Sequence, residues 1–500
     1  MFNTLIFSIF VSLNKNNKNM LQHKNTTVLR EIKDFFTTSE KASTTILNLV
    51  SSLKLSSRKL GIVEVVQKVY SSSDVTILLL LFPFMQINNV SNYSNHAVKN
   101  LMKAGKDLFY RLKNNPLINW RLFGYSVTKR LINEVSKRDD KQGSNLRCLI
   151  ADDTDLPKKG MCIELIGRIF SHVTHTSKLG FKGLFLAYHD GKSLFGLDFT
   201  LSGEKGQNKK KPYGLTSKQS NDRFTKKRDK SSSGYERKNE YFLKKTEALK
   251  QMIRRTIKEG IRFDYLLVDS WFVSDSLIKF TLTRKIGFYL LGMAKIGGNS
   301  SYEYQNEKYT AKELMQKFKR GKKLKRSRKL NAWYITVDVS YKGSNIRLFF
   351  CKTRRGGDWN VLLTTNQKLD FEEAYKIYCI RWSIEVFFKE CKNHLNLGGC
   401  QSQDFDAQIA DTTIMMLQYN ILSVAKQILC YQTLGGLFRQ IKSEMIELTI
   451  AEKIWGYLLE LVSIISEFAE IELEDIMDKL TSDNQKLTKF LNFNASLNAA

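Results

Sequence analysis

The spacing of apolar and polar positions changes along the chain and divides it into helical and strand-forming stretches. Residues 28 to 140 read as helical. In this stretch Trp120, Phe123, Val127 and Leu131 recur at helical intervals, and Arg121, Lys129 and Arg130 take other faces. Val75 to Phe84 (VTILLLLFPF) is apolar throughout but falls well short of the roughly 20 residues a membrane-crossing helix needs. With Pro83 near its end, it predicts a buried core helix. From Arg147 the period shortens. Arg147 to Asp153 (RCLIADD) is a brief apolar run ending in acids, which predicts a buried strand. Phe181 to His189 and Ser193 to Leu201 flank an Asp190-Gly191 pair, the signal of a β-hairpin.

Beyond the hairpin, Gly203 to Arg237 is lysine-rich and almost without aliphatic residues, so it predicts a mobile basic loop. A helix over Glu240 to Glu259 and a strand over Phe263 to Asp269 (FDYLLVD) follow. This second strand also ends in an acid. Residues 286 to 356 alternate like strands around a basic cluster, Lys317 to Lys329. Trp359 to Thr365 (WNVLLTT) predicts another buried strand, and one helix is expected from Phe371 to about Leu395. The remainder reads as helical, over Asp406 to Ile428 and Ile450 to Leu480, and the acidic stretch of the last helix suits protein contact.

Strands alternating with helices predict an α/β fold, and 500 residues exceed what one core usually organises. The pattern divides into an N-terminal extension (1–27), a helical region (28–140), a first catalytic part (141–285), a β-rich stretch (286–356), a second catalytic part (357–400) and a helical C-terminal region (401–500). The first residues resemble the apolar part of a signal peptide. They lack a basic leader and a small-residue cleavage site, so a frayed extension is expected, with Met20 as an alternative start.

Charge narrows the class. Lys and Arg number 79 against 49 acids, a net +30, which points to a polyanion: nucleic acid first, an anionic membrane surface second. Seven cysteines without a paired framework fit reduced thiols and a cytoplasmic protein.

Chemistry concentrates on the helix from Phe371. At about 100° per residue, Tyr378, Arg381, Glu385 and Lys392 fall within a stripe about 60° wide. A phenol, a guanidinium, a carboxylate and an ammonium in one row suit a phosphodiester site, where the acid holds a metal and the cations neutralise phosphates. The two strands end in Asp153 and Asp269, and strand carboxyl ends are where open α/β sheets gather functional groups. Three carboxylates meeting at one point require a cation, and oxygen-only ligands favour Mg²⁺, with Mn²⁺ able to substitute.

The row Tyr378-x2-Arg381-x3-Glu385-x6-Lys392 matches the YREK signature, and the chain resembles the bacterial DDE transposases named after insertion sequence 4. ADDTDLPKKG resembles that family's first-acid segment and LLVDSWF its second. The likeness covers about residues 147 to 425. It implies a ribonuclease H-like core with a β-rich insertion between the second and third acids, Mg²⁺-dependent DNA cleavage at element ends, and strand transfer into target DNA. It also implies that Asp153, Asp269 and Glu385 hold the metal and that Tyr378, Arg381 and Lys392 hold phosphates near the cut. Trp359 lies near where some relatives hold a flipped base, and a core role for it stands as the alternative. Relatives place the first acid directly before Thr or Ser, which favours Asp153 over Asp152, with Asp155 a third choice. A homodimer on double-stranded DNA, a nucleoid-associated location and no membrane contact are implied as well. The competing readings are a ribonuclease H-like nuclease that cuts without rejoining and an inactive DNA-binding remnant of a mobile element. A glycosidase using paired carboxylates leaves the charge and the aligned Arg and Lys unexplained.

The positive charge generates a first prediction. If phosphates are the partners, affinity for DNA falls steeply with salt, by roughly 10³-fold between about 50 and 200 mM for six contacts. A binding isotherm that stays flat over that range rules out a phosphate-dominated interface.

Overall fold

The computed structural model of the chain describes residues 42–55, 70–94, 105–137, 146–171, 174–283, 287–297, 300–321, 323–353, 357–444 and 464. The expected extension over 1–27 and, apart from Ile464, the expected helix from Ile450 to Leu480 fall outside these residues. The chain forms two compact units, residues 1–123 with 421–500, and residues 124–420.

In the first unit the described residues before Phe123 are helical: α1 (Ala42–Ser52), α2 (Ser72–Leu81), α3 (Val90–Tyr93), α4 (Asp107–Lys113) and the start of α5 (Trp120–Ser136). Helix α2 is the apolar run read from the sequence. Ser71 starts it, its hydroxyl accepting from the Asp74 amide while the Asp74 carboxylate accepts from the Ser71 amide. Every α2 residue except Asp74 is buried, and Pro83 stands just beyond the last turn. Behind it, Phe109 lies 5.3 Å from Phe82 and 4.7 Å from Tyr93, ring centre to ring centre. Among the described residues no helix is long and apolar enough to cross a membrane.

The second unit is built on one sheet. Its elements run β1 (Cys148–Pro157), β2 (Gly167–Ser171), β3 (Thr176–His189), β4 (Leu194–Ser202), α6 (Ser217–Asn221), α7 (Ser233–Glu240), α8 (Lys245–Lys258), β5 (Tyr265–Val268), α9 (Asp275–Thr281) and β6 (Tyr289–Ala294). There follow β7 (Ser301–Tyr304), β8 (Glu307–Thr310), α10 (Ala311–Arg320), β9 (Lys325–Ser327), β10 (Ala332–Tyr341), β11 (Ser344–Lys352), β12 (Asn360–Thr364), α11 (Phe371–Cys379), α12 (Trp382–His394) and α13 (Phe405–Ile428). Five strands make the core in the order β4-β3-β1-β5-β6, with β3 antiparallel to both neighbours and β1, β5 and β6 parallel. That is a ribonuclease H-like order. The expected hairpin is β3–β4, and Gly191 at its tip has φ +100°, a left-handed conformation that a side chain would strain.

The stretch between the second and third acids is β-rich, as expected, and is continuous with the core. Its strands continue the core sheet, β12 pairing antiparallel with β6 and then β11, β10, β7 and β8 following outward, and it carries a helix, α10. The basic cluster of Lys317 to Lys329 spans the end of α10 and strand β9.

The segment from Gly203 to Arg237 departs further from expectation. Instead of a mobile loop it is pinned by Arg228, whose side chain is wholly buried. The guanidinium donates to both oxygens of Glu164 at 2.7 and 2.6 Å and to Asp406 at 3.0 Å. Lys226 adds bonds to Asp404 and Asp406, and Lys238 one to Glu164. Burial works to raise the Glu164 pKa, but Arg228 and Lys238 hold it below the ordinary carboxylate value. Composition concealed this because the anchoring acids lie far away in sequence.

Replacing Arg228 with Met would leave three buried acids short of their main cation, a loss of about 3–5 kcal/mol for a broken buried pair. Denaturant titration should show the midpoint falling with the slope unchanged. An unmoved midpoint would mean that the network does not hold this segment.

Candidate active site

The site begins where β1 leaves the protected middle of the sheet. Cys148 to Ala151 are buried, whereas Asp152 to Asp155 are half-buried. Ala151 is matched with Val268 of parallel β5, so Asp152 and Asp269 each follow a matched position. Residues in matched positions share a face, and successive residues alternate faces. Asp152 therefore emerges beside Asp269 where β5 ends, and Asp153 turns to the other side; β1 itself does not stop at Asp153 as expected but stays paired with β3 to Pro157.

Helix α12 covers the Asp152 face. Phe185, directly opposite Asp152 in the β1–β3 register, meets Phe387 and Phe388 at ring separations of 5.7 and 5.5 Å. This apolar seat sets the helix height. Arg381 then reaches Asp152, Nη1 to Oδ2 at 3.2 Å, and Glu385, Nη2 to Oε1 at 2.6 Å. The Tyr378 ring lies 5.7 Å from the guanidinium carbon, and Lys392 donates to the Thr154 hydroxyl at 2.7 Å. Tyr378, Arg381, Glu385 and Lys392 thus meet the Asp152–Thr154 face as a row.

The row is carried by two helices, not the single one expected. Between α11 and α12 the chain tightens: the amides of Ile380, Arg381, Ser383 and Ile384 each bond three residues back, and the Ser383 hydroxyl donates to the Ile380 carbonyl at 2.6 Å. The break falls at Arg381, the residue that joins two of the acids.

Asp153 and Asp155 occupy the opposite face with cations of their own. Lys245, the first residue of α8, pairs with Asp153 at 2.5 Å. Asp155 pairs with Lys182, its cross-strand neighbour on β3. Asp153, favoured by its position before Thr154, therefore does not face Arg381 and Glu385, whereas Asp152 does. Trp359 lies at the same end of the sheet, because antiparallel β12 begins where β6 finishes; Lys352 stands 5.3 Å from its ring.

Electrostatics single out the same carboxylate. Burial pushes Asp152 up to about 7, with Asp269 adding to the rise and Arg381 and the Asp153 amide opposing it. Burial likewise pushes Tyr378 up to about 12, against the opposing pull of Arg381. Among the described residues no three His, Cys, Asp or Glu side chains are gathered closely enough to hold an ion as they stand. Even so, the donor chemistry fits a hard divalent cation. Asp152, Asp269 and Glu385 offer oxygen alone, and a guanidinium already bridges two of them.

Two features escaped the sequence reading. Lys245 is far from β1 in sequence and reaches it only through the fold. Trp271, in the segment LLVDSWF, is half exposed, and the Lys245 ammonium stands 4.7 Å from its ring.

Residues 243–421 match the family described as transposase DDE domain, and residues 116–292 match that described as DDE superfamily endonuclease. The two matches overlap and together span the second unit. They support a DDE transposase family and a transposase-type nuclease. No curated protein matches the sequence. Among solved structures, the chain is similar to a piggyBac transposase in a synaptic complex with hairpin DNA, at 13% identity and a TM-score of 0.39, over 85% of this chain and 81% of that one.

The raised acid makes a prediction for the metal-free protein. The folded state keeps Asp152 protonated up to about pH 7 while the unfolded chain ionises near its ordinary 3.8, so stability is lost as pH rises from about 4 to 7. Asp152→Asn should therefore be more stable than the parent at pH 8, by at most about 4 kcal/mol, with the gap closing towards pH 4. A variant no more stable at pH 8 than at pH 4, relative to the parent, would show that the acid is not destabilised by burial.

Proposed function

We propose that this chain is a DNA transposase that cleaves the ends of its element and joins them to target DNA by two-metal-ion phosphoryl transfer, within the insertion sequence 4 group. The observation that carries the reading is the Arg381 bridge between Asp152 and Glu385, with Asp269 beside it. We assign Asp152, Asp269 and Glu385 as the metal-holding acids, Asp152 replacing Asp153 because it shares their face of the sheet. These three acids would hold divalent Mg²⁺, which would supply Lewis-acid activation of the attacking oxygen and stabilisation of the leaving one.

The chain's own residues do the rest. Arg381 and Lys392, lying in line along α12, neutralise phosphates on either side of the scissile bond. Tyr378 stays a neutral phenol at working pH and offers its hydroxyl to a phosphate oxygen. Trp359, at the same end of the sheet, faces the DNA that flanks the cut. The helical region of 28–140 supplies further DNA contacts, the C-terminal region of 401–500 supplies dimer contacts on double-stranded DNA, and the protein works beside the nucleoid in the cytoplasm.

Glu385→Gln should bind DNA about as the parent does yet lose Mg²⁺-dependent cleavage by at least about 10²-fold, the scale at which a catalytic charge is lost. Asp152→Asn should match it, whereas Asp153→Asn should retain far more activity. The assay incubates the protein with its gene's flanking DNA and Mg²⁺ and maps the cut and joined ends. Wild-type rates in Glu385→Gln sink the site, inactivity of Asp153→Asn alone restores Asp153 as first acid, and cut ends never joined reduce the activity to a nuclease.

A further inference from the structure

The row on α12 is tied to strand β1 at two points, and the two ties differ in charge. At one, the Arg381 guanidinium meets two carboxylates, Asp152 and Glu385. At the other, in the last turn of α12, the Lys392 ammonium donates to a neutral hydroxyl, Thr154 Oγ1, at 2.7 Å. Among the described residues Lys392 forms no ion pair, and its side chain is exposed. Asp155 attracts it, but Asp155 is already paired with Lys182 on the opposite face of the strand.

Thr154 suits the task of holding that ammonium. Two residues after Asp152 on an extended strand, it shares the face that α12 covers. Its cross-strand neighbour is Gly183, so no side chain directly opposite competes for the hydroxyl. A Cβ there would come within 2.8 Å of the Phe185 ring and 3.0 Å of Leu156, whose side chains close this face. The branched β-carbon of threonine restricts χ1 and so fixes where the oxygen points.

A lysine ammonium rides on a flexible four-carbon stem, and without an anchor its direction is not defined. A carboxylate anchor would hold it and cancel its charge. A hydroxyl takes one of its three donors and leaves the charge for a second partner. Arg381 already answers carboxylates, so Lys392 is the member of the row whose charge is open to an anion.

Resting on the DNA-cleaving reading above, we propose that Thr154 is a positioning residue whose hydroxyl aims the Lys392 ammonium at a DNA phosphate without neutralising it.

The test measures binding of the full chain, without divalent metal, to a duplex of its gene's flanking DNA over a range of salt. Lys392→Ala should weaken binding and reduce the slope of log affinity against log salt by about 1, the loss of one phosphate contact. Thr154→Val, similar in shape but without an acceptor, should weaken binding roughly 2- to 12-fold and lower the same slope. Thr154→Ala carries the same expectation and serves if Val disturbs the strand, which melting temperatures report. Thr154→Ser should restore most of the affinity and the slope. In the Lys392→Ala background Thr154→Val should cost nothing further, because the pair acts as one. Parent-like binding by Thr154→Val, a Thr154→Ser as weak as Val, or an equal loss in the Lys392→Ala background overturns the proposal. Should Lys392→Ala bind as the parent does, Lys392 meets no phosphate and the aiming role falls with it. Cleavage enters none of these readouts, so failure of the cutting reading shows separately, in the mapping of ends made with Mg²⁺.

Discussion

Two adjacent carboxylates partway along a strand cannot share one environment, and the second unit is organised around this constraint. Strand alternation sends Asp152 under α12 and Asp153 towards α8. Each side then needs its own cation. On one side Lys245 comes from a helix start that would otherwise repel it; on the other, Arg381 comes from the joint between two helices. The sheet order serves the same end, because parallel β1 and β5 deliver Asp152 and Asp269 together, a result antiparallel strands would not give.

The scaffold behind these groups is apolar and over-determined. Phe185, Phe387 and Phe388 hold α12 to the sheet, and Phe387 packs edge-on against Tyr419 of α13 at 4.6 Å. Such contacts fix the height of the Arg381 row to within the tolerance a hydrogen bond demands. The Arg228 network does similar work for the basic segment. Its guanidinium gains little as a net stabiliser over an apolar core, but it admits only one arrangement of Glu164, Asp404 and Asp406.

The β3–β4 hairpin announced itself through Asp190-Gly191, whose special backbone no tertiary contact has to supply. The buried helix α2, the strand β5 stopping at Asp269 and the helical row of Tyr378, Arg381, Glu385 and Lys392 were legible for the same reason: period and punctuation are short-range. What stayed hidden depends on partners distant in sequence. Asp152 and Asp153 are chemically identical neighbours, and only the register with β5 and the position of α12 separate them. The tightened turn between α11 and α12 goes with the Ser383 hydroxyl bonding back to the Ile380 carbonyl, which no local pattern announces. Arg228 looked like one more basic residue in a polar stretch, because the three acids that bury it come from elsewhere in the chain.

The charge balance at the site explains why a strongly basic chain keeps this spot negative. Asp152, Asp269 and Glu385 together bring up to three negative charges, and Arg381 answers one of them. Burial resolves part of the excess by favouring the proton on Asp152. A phosphodiester drawn in by the +30 surface would meet repulsion there unless the remaining charge were offset. A divalent cation held by these acids would supply that amount. Arg381 is then the group whose charge both acids and phosphate compete for, which ties the geometry of the acids to that of any bound backbone.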